Sequence, residues 1–319
     1  MNVDQTAKVM PRFSRLKGVC RKLECTLLSL KKNYYLAQYR NRNNFEVPIL
    51  DRKIRLSIED PYSKNWIVER FAGGKIHERP VTLMILDALK DAKCFVDCGA
   101  NLGWYTCLAG EFIPDGLVYG FEMDDLNFNL LRKNVAVNNF SHVMLYHVAL
   151  SDAPGLVSYR RNEMGPNPGN SLSSSLTNRG VSDVITVDAI SLDTFFADKA
   201  VTPDLVKIDV EGAETKVLRG MADLLQNPRI KLFVEIHPRA LKELQSSVDE
   251  VLSILMENGF DVFIIEQMRK QSEARLRKLS QLSPLLSSKD QTMLFAYKSP
   301  HHEKNERLLV TERCFPIVP

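Results

Sequence analysis

Two rhythms of apolar and polar positions alternate along the chain. Short, nearly continuous apolar runs, the pattern of strands buried on both faces, occupy Cys94–Cys98, Leu117–Glu122, Val143–Val148, Leu205–Val210 and Lys231–Ile236. Between most of them apolar residues recur at helical spacing. In Asp124–Asn139 these are Leu126, Leu130, Leu131 and Val135, with Asp124 or Asp125 placed to cap the start. Glu211–Leu225 carries Val217, Leu218, Met221 and Leu225 on one face, and Leu241–Glu257 forms a third helical stretch. Two further strands, Phe260–Ile265 and Thr292–Tyr297, flank a polar, basic segment, Gln267–Asp290. Strand and helix in alternation predict an α/β fold with a doubly wound, mostly parallel sheet of seven strands, the last one inserted antiparallel. One link breaks the rhythm: between Leu150 and Asp204 no long helix is visible, and Asn162–Arg179 is rich in Gly, Pro, Ser and Asn. A long irregular stretch beside the ligand edge of such a sheet reads as a cover over the site.

The pattern divides the chain into four parts. Residues 1–44 form a basic amphipathic helical extension, 45–90 a preface of strands and a helix, 91–298 the α/β domain and 299–319 a polar tail. In the extension, Phe13, Leu16, Cys20, Leu23, Leu27, Leu30 and Tyr34 follow alternating steps of three and four, a heptad seam of about three repeats. Lys and Arg fill the other faces, and Gly18 weakens any isolated helix there. Such a helix can lie on the core, pair with a copy of itself through 13–34, or rest on an anionic membrane surface.

Composition narrows the classes. An apolar fraction of 45% with 25% charged residues suits a soluble domain with a real core. No apolar run approaches the ~18–20 residues of a membrane span, and Lys and Arg interrupt the N-terminal region too often for a signal peptide. The expectation is a cytoplasmic protein, peripheral at the membrane if the extension docks there. The six cysteines show no CxxC pair and no zinc spacing, so packing is the expected role of Cys94 and Cys98 beside their strand. Ten Lys and Arg face only Asp4 and Glu24 in residues 1–44, so in a chain of net charge +3 the remainder is acidic. A core built to grip nucleic acid would more often be basic, and no nucleic-acid partner is expected.

Candidate chemistry gathers at the strand ends. The run CFVDCGANLGWYT places Asp97, Gly99, Asn101 and Gly103 on a strand-to-helix turn. Glycines let backbone amides approach a ligand, and the helix start adds partial positive charge. The spacing Asp-x-Gly-x-Asn-x-Gly departs from the GxGxxG turn of dinucleotide enzymes, so a ligand with an amino-acid end and no phosphate fits better. Glu122 ends the next strand, where a carboxylate can accept two hydrogen bonds from a ribose diol; the alternative is a helix cap, which Asp124 and Asp125 can also supply. Ala149, with Leu150, Ser151 and Asp152, follows the third strand, at a place for an adenine ring or a plain turn. In LVKIDVEGAE, Lys207, Asp209 and Glu211 alternate along one side of a buried strand and its exit, and LFVEIHP adds Glu235 and His237. Buried charges in that number are costly unless paired or functional.

Taken together, FVDCGANLG, YGFE, ALSD, VKIDVEGAE and VEIHP resemble the FkbM family of methyltransferases, from about Phe95 to His237. The serine-bearing stretch Ser171–Ser175 resembles that family's loop between the third and fourth strands. The resemblance implies a Rossmann-like sheet of the class I methyltransferase type and S-adenosyl-L-methionine as cofactor. It implies that Asp97, Gly99, Asn101, Gly103 and Glu122 bind the cofactor. Asp209, Glu211 and His237 would then sit at the methyl-transfer crevice. It says nothing about residues 1–44.

Methyl transfer to a hydroxyl oxygen needs near-attack geometry and a base for the departing proton. His237 ranks first as that base because an ordinary imidazole titrates near neutrality. Asp209 ranks second, since Lys207 beside it reduces its basicity. The site is read as metal-free, with a divalent cation on Asp209, Glu235 and His237 as the alternative. The expected acceptor is a hydroxyl of a glycan or a small natural product. The alternatives are nitrogen methylation of nucleic acid or protein, and a non-catalytic S-adenosylmethionine-binding module. The first of these is disfavoured because Val210-Glu211-Gly212-Ala213 stands where base-modifying enzymes carry a proline-aromatic run.

Overall fold

A computed structural model describes residues 26–27, 29–162, 181–266, 268–279 and 291–299. The extension's helix is described over residues 29–38 (α1). A hairpin follows, β1 (Asn44–Ile49) and β2 (Arg52–Ser57), then α2 (Pro61–Phe71) and α3 (Arg79–Leu89). The main sheet takes β3 (Cys94–Cys98), β4 (Leu117–Glu122), β5 (Val143–His147), β9 (Leu205–Ile208), β10 (Lys231–Ile236), β11 (Asp261–Glu266), β12 (Arg275–Lys278) and β13 (Thr292–Tyr297). A small second sheet holds β6 (Ala149–Leu150), β7 (Gly155–Asn162) and β8 (Val181–Ile190). The remaining helices are α4 (Trp104–Phe112), α5 (Asp125–Ala136), α6 (Leu192–Phe196), α7 (Glu214–Arg219), α8 (Pro238–Glu243) and α9 (Val248–Glu257).

The main sheet runs β12-β11-β13-β10-β9-β3-β4-β5. Pairs β3–β4, β4–β5, β3–β9 and β9–β10 are parallel, and β13 enters antiparallel between β10 and β11. All seven expected strands are present in that arrangement. The count is corrected to eight, because β12 forms a hairpin with β11 inside the segment that was read only as polar and basic. It lies at the sheet edge, and four residues with one apolar member, Leu276, among Arg and Lys are too short to show an alternation. Strand order reverses between β3 and β9, so the crevice outside their carboxyl ends is the expected ligand position. One core cluster, around Phe95, Trp104, Leu108 and Phe233, lies on one face of the sheet, and a second, around Val96, Ile208, Leu218 and Leu252, on the other.

Two helical expectations change. Asp124 caps α5 through Leu126 and Asn127 amides, as the pattern suggested. The stretch from Glu211 starts as a helix only at Glu214, because Glu211 and Gly212 take positive φ of 50° and 112°. The stretch from Leu241 is two helices, α8 and α9, divided where Gln245 takes φ 59° and Ser247 caps α9 by accepting from the Glu250 amide. Between Leu150 and Asp204 the described residues hold no long helix, as expected, but the β7–β8 pair and the short α6 flank the stretch read as irregular. Residues 163–180, including Ser171–Ser175, lie outside the described residues, as do 280–290 and the tail from 300.

Of the heptad seam, Phe13, Leu16, Cys20 and Leu23 also lie outside the described residues. The rest faces outward: Leu27, Leu30 and Tyr34 are 66%, 60% and 60% exposed. The helix instead docks by a neighbouring face, with Tyr35, Leu36 and Tyr39 against the core and Lys32 paired to Glu69 at 2.8 Å. Among the described residues no helix is long and apolar enough to cross a membrane.

Candidate active site

The strand-to-helix turn after β3 is built from three left-handed residues, Gly99, Asn101 and Gly103, at φ 76°, 51° and 88°. At Gly99 the need for glycine is absolute, since a Cβ would stand 1.9 Å from the Asp209 carbonyl oxygen. Gly103 precedes α4, and a Cβ there would meet Leu131 at 2.4 Å. The turn is thereby pressed against the exit of β9, which brings both motifs to one cleft. That cleft is open to solvent, with about 600 Å³ of empty space counted to its mouth and beyond, and is lined by Gly99, Asn101, Glu122, Met123, Ala149, Leu150, Asp209 and Glu211, among others.

Six of the ten expected site residues therefore line it: Gly99, Asn101, Glu122, Ala149, Asp209 and Glu211. Asp97, Gly103, Lys207 and His237 stand behind this surface. Asp97 is buried, accepts from Thr106 Oγ1 at 2.6 Å and lies 3.7 Å from Lys207 Nζ. Its Oδ1 makes no hydrogen bond, and neither does Asn101 Oδ1. Glu122 is also buried. Its Oε2 accepts from the Asn101 amide at 2.7 Å and its Oε1 from the Asp124 amide at 2.9 Å. Because Asp124 supplies the helix cap, Glu122 is not consumed by that role, and each of its oxygens keeps a second lone pair. Burial pushes its pKa up to about 7 against the pull of those two amides. Ala149 and Leu150 form β6, which pairs with β8 and holds this part of the wall rigid.

The other wall carries the charge. Lys207 Nζ bonds Asp209 Oδ2 at 3.1 Å. Although Lys207 is buried, the carboxylates of Asp209 and Asp97 hold its pKa above the ordinary value. Asp209 is burdened by burial, yet Lys207 and His237 keep its pKa low. Strand β9 ends at Ile208, so the simple alternation along one side does not extend to Glu211. Glu211 reaches the cluster from the left-handed turn instead, with Oε2 3.2 Å from His237 Nε2, and burial pushes its pKa up to about 7. His237 is buried at the end of β10. Its Nδ1 bonds Glu214 Oε1 at 2.6 Å, and its Nε2 lies 3.8 Å from both Asp209 Oδ1 and Glu235 Oε1.

Burial alone would lower the pKa of His237, but the bond to Glu214 and the charges of Glu211, Glu214 and Asp209 raise it to about 10. The argument for His237 from an ordinary imidazole pKa is thus corrected: its neighbours make the protonated form the resting one near neutral pH. Glu235 is pushed well up by burial and by Asp209, and Arg269 lies 3.5 Å from it.

The residues missed by sequence reasoning fall in two groups. Glu214 sits inside the VEGAE motif, three residues after Glu211, and orients His237; an acid at the start of a helix was the available signal. Others come from the preface. Tyr105, whose ring lies 5.0 Å from Lys207 Nζ, donates to Glu78 at 2.9 Å, and Glu78 immediately precedes α3 without capping it by its side chain. Tyr62 from α2 has a buried hydroxyl without a hydrogen bond. Only long-range packing brings Tyr105 and Glu78 to β9 and β10, and Tyr62 to the Glu122 side.

A family model described as the methyltransferase FkbM domain matches residues 97–262, more than half of the chain. The chain belongs to the FkbM methyltransferase family. Within known proteins it is similar to the hexuronic acid methyltransferase AglP of Haloferax volcanii, at 26% identity over 198 residues, 59% of this chain and 76% of that protein. It is also similar to methyltransferase 1 of Beauveria bassiana, at 26% identity over 149 residues, 42% of this chain and 60% of that protein. A solved structure of methyltransferase FkbM from Methylobacillus flagellatus KT aligns with a TM-score of 0.40 and 18% identity, covering 65% of this chain and 44% of that one. The family match spans the glycine turn, Glu122, the β9 exit and His237, and stops short of the preface and α1.

Proposed function

We propose that this FkbM-family chain transfers the methyl group of S-adenosylmethionine to a hydroxyl oxygen of a sugar. The observation that carries the reading is that one cleft has a neutral, amide-rich wall with a single diol-ready carboxylate, and a facing wall of carboxylates around one buried imidazole. The first wall fits the cofactor. The buried, unbonded Oδ1 of Asn101 faces a turn no side chain at position 99 could share, and Glu122 retains acceptor capacity toward the cleft. Glu122 would take the ribose hydroxyls, Asn101 and the turn amides the amino-acid end, and Ala149 with Leu150 the adenine face. When bound, S-adenosylmethionine supplies an electrophilic methyl carbon on a sulfonium centre.

The protein's own part is placement and proton handling. Asp209 and Glu211 line the same cleft as Glu122, so an acceptor oxygen held by them lies on the side of the cofactor pocket where the methyl would be. The acceptor proton passes to the Glu211 carboxylate, whose Oε2 lies 3.2 Å from Nε2 of the protonated His237, which Glu214 orients from behind. Lys207 and Asp97 act through Asp209 by fixing its charge and direction. A sugar acceptor is supported by the hexuronic acid methyltransferase of Haloferax volcanii, which the chain resembles over most of that protein's length. The experiment is mass-spectrometric detection of methyl transfer from isotopically labelled cofactor to a panel of uronic-acid and neutral oligosaccharides, peptides and RNA. Label on a sugar oxygen is the expected result; label only on nitrogen, or on none, overturns the reading.

A further inference from the structure

The inner wall of the cleft has the makings of more than a base. Asp209, Glu211 and His237 each offer one ligand atom, and those atoms all lie within 4.8 Å of one another. His237 is 3% exposed, and its Nε2, the atom turned toward the two carboxylates, makes no hydrogen bond. A buried polar nitrogen in a native fold is nearly always paired, so this one calls for a partner. The ring cannot turn to find another, because Nδ1 is held by Glu214, itself fully buried and also accepting from the Gly212 amide at 3.0 Å. A carboxylate behind the imidazole and an aimed nitrogen in front is the outer-sphere arrangement of metal-ligating histidines. Asp209 Oδ1 lies 3.8 Å and Glu211 Oε2 3.2 Å from that nitrogen, so two carboxylate oxygens already converge on it.

We propose that Asp209, Glu211 and His237 form a divalent-cation site on the acceptor side of the cleft. One nitrogen and two carboxylate oxygens suit a hard-to-borderline ion of the Mn²⁺ and Mg²⁺ class. Three protein ligands leave positions open toward the cleft for water or an acceptor hydroxyl. Glu235 lies just outside the set, 3.8 Å from Nε2 and drawn toward Arg269, so the ligand trio differs from the one the sequence suggested. The inference rests on reading this wall as the acceptor side, but the site is defined without the cofactor or the reaction.

The test is Mn²⁺ binding to the chelator-treated full chain, followed by electron paramagnetic resonance with no cofactor or acceptor present. One Mn²⁺ per chain is expected. Glu211→Gln, which alters a turn residue on the cleft surface, should weaken binding at least tenfold. Glu214→Gln, which keeps an acceptor for the Gly212 amide and removes the carboxylate behind the imidazole, should weaken it by roughly 10–100-fold. Absence of a bound ion in the wild-type chain overturns the proposal. So does wild-type affinity in both variants, which would mark the binding as diffuse attraction to surface acids. Methyl transfer at an undiminished rate in chelator, with no Mn²⁺ bound, removes the cation site and leaves the proposed function standing. Stoichiometric Mn²⁺ lost in both variants, with no acceptor methylated, does the reverse.

Discussion

The two walls of the cleft are made by opposite strategies. On the Gly99–Glu122 side, backbone amides do the work, and a single carboxylate is held between two of them, Asn101 and Asp124. Every participating residue lies within one β-turn-α-β stretch, so local spacing dictates the geometry. On the Asp209–His237 side, side chains do the work. They converge from β9, the left-handed turn after it, α7 and β10, with Tyr105 and Glu78 closing the back from elements more than a hundred residues away. An amide wall tolerates substitution of most side chains because its donors are the chain itself. A side-chain wall is a coupled unit in which each charge sets the state of the next. The expected consequences of mutation therefore divide sharply between the two.

The largest effect belongs to the charged wall. His237→Ala should lower kcat by about 10²–10⁴-fold, the range for losing a positioned proton-handling group. Cofactor affinity should stay within about threefold, because His237 does not line the cleft. Single-turnover kinetics with calorimetry of cofactor binding separates the two. A variant that loses affinity and keeps its turnover would assign His237 to the wrong wall.

Lys207 distinguishes support from chemistry on the same wall. It is 2% exposed and holds both Asp97 and Asp209. Lys207→Ala removes the cation and leaves two buried carboxylates without it, which should destabilise the fold by about 3–5 kcal/mol. Denaturant unfolding should show this even in the absence of cofactor. Asp209→Asn leaves Lys207 its partner Asp97 and should cost less stability while lowering turnover more. If the two variants lose stability and activity in parallel, the division between positioning and reacting groups fails.

How much of this was readable in the sequence follows the same divide. The amide wall was legible in position: Gly99, Asn101, Gly103 and Glu122 sit at fixed offsets around one strand end, and offsets survive in a linear text, whereas Asp97 lies behind it beside Lys207. The parallel strands and the antiparallel entry of β13 were legible for a similar reason, since buried strands are continuous apolar runs. The charged wall was legible in membership but not in mechanism. Asp209, Glu211 and His237 could be named, yet the state of His237 depends on Glu214 beneath it, and nothing in a one-dimensional pattern says that α7 begins under β10. The division of the helical stretch from Leu241 was hidden in Gln245-Ser246-Ser247, where a cap residue reads equally well as helix interior. Strand β12 was hidden because a four-residue edge strand with one apolar residue, Leu276, among Arg and Lys is too short to show an alternation.

On the amide wall, Glu122→Ala should weaken cofactor binding by about 1–3 kcal/mol, the scale of hydrogen bonds to a charged group. Turnover at saturating cofactor should change little, the inverse of the His237 result. Equal affinity of the folded variant and the wild type, measured by calorimetry, removes Glu122 from the ribose position.

The smallest effect is also the most specific to one atom pair. Burial raises Glu122 to a pKa of about 7, opposed by the amides of Asp124 and Asn101 and assisted by the charges of Asp124 and Asp97. The phenols facing it, Tyr62 and Tyr159, have pKa values raised by burial and stay neutral, so they add no titration of their own near pH 7. The carboxylate form is the one that accepts two hydroxyl hydrogens from a diol, so the ligand binds the deprotonated chain and lowers this pKa by linkage. The sign follows: affinity rises as pH rises through about 7 and levels off above it, and below it each unit of acid costs up to tenfold as the ionised fraction falls. Calorimetric affinities at pH 6 and pH 8 should differ by close to that factor, with about half a proton released per ligand bound at pH 7 when buffers of different ionisation enthalpy are compared. Glu122→Gln, which keeps the shape and cannot titrate, should bind more weakly and show no slope over the same range. A slope that persists in Glu122→Gln would place the titrating group on the charged wall instead, and the two walls would then be coupled through the cofactor rather than separately built.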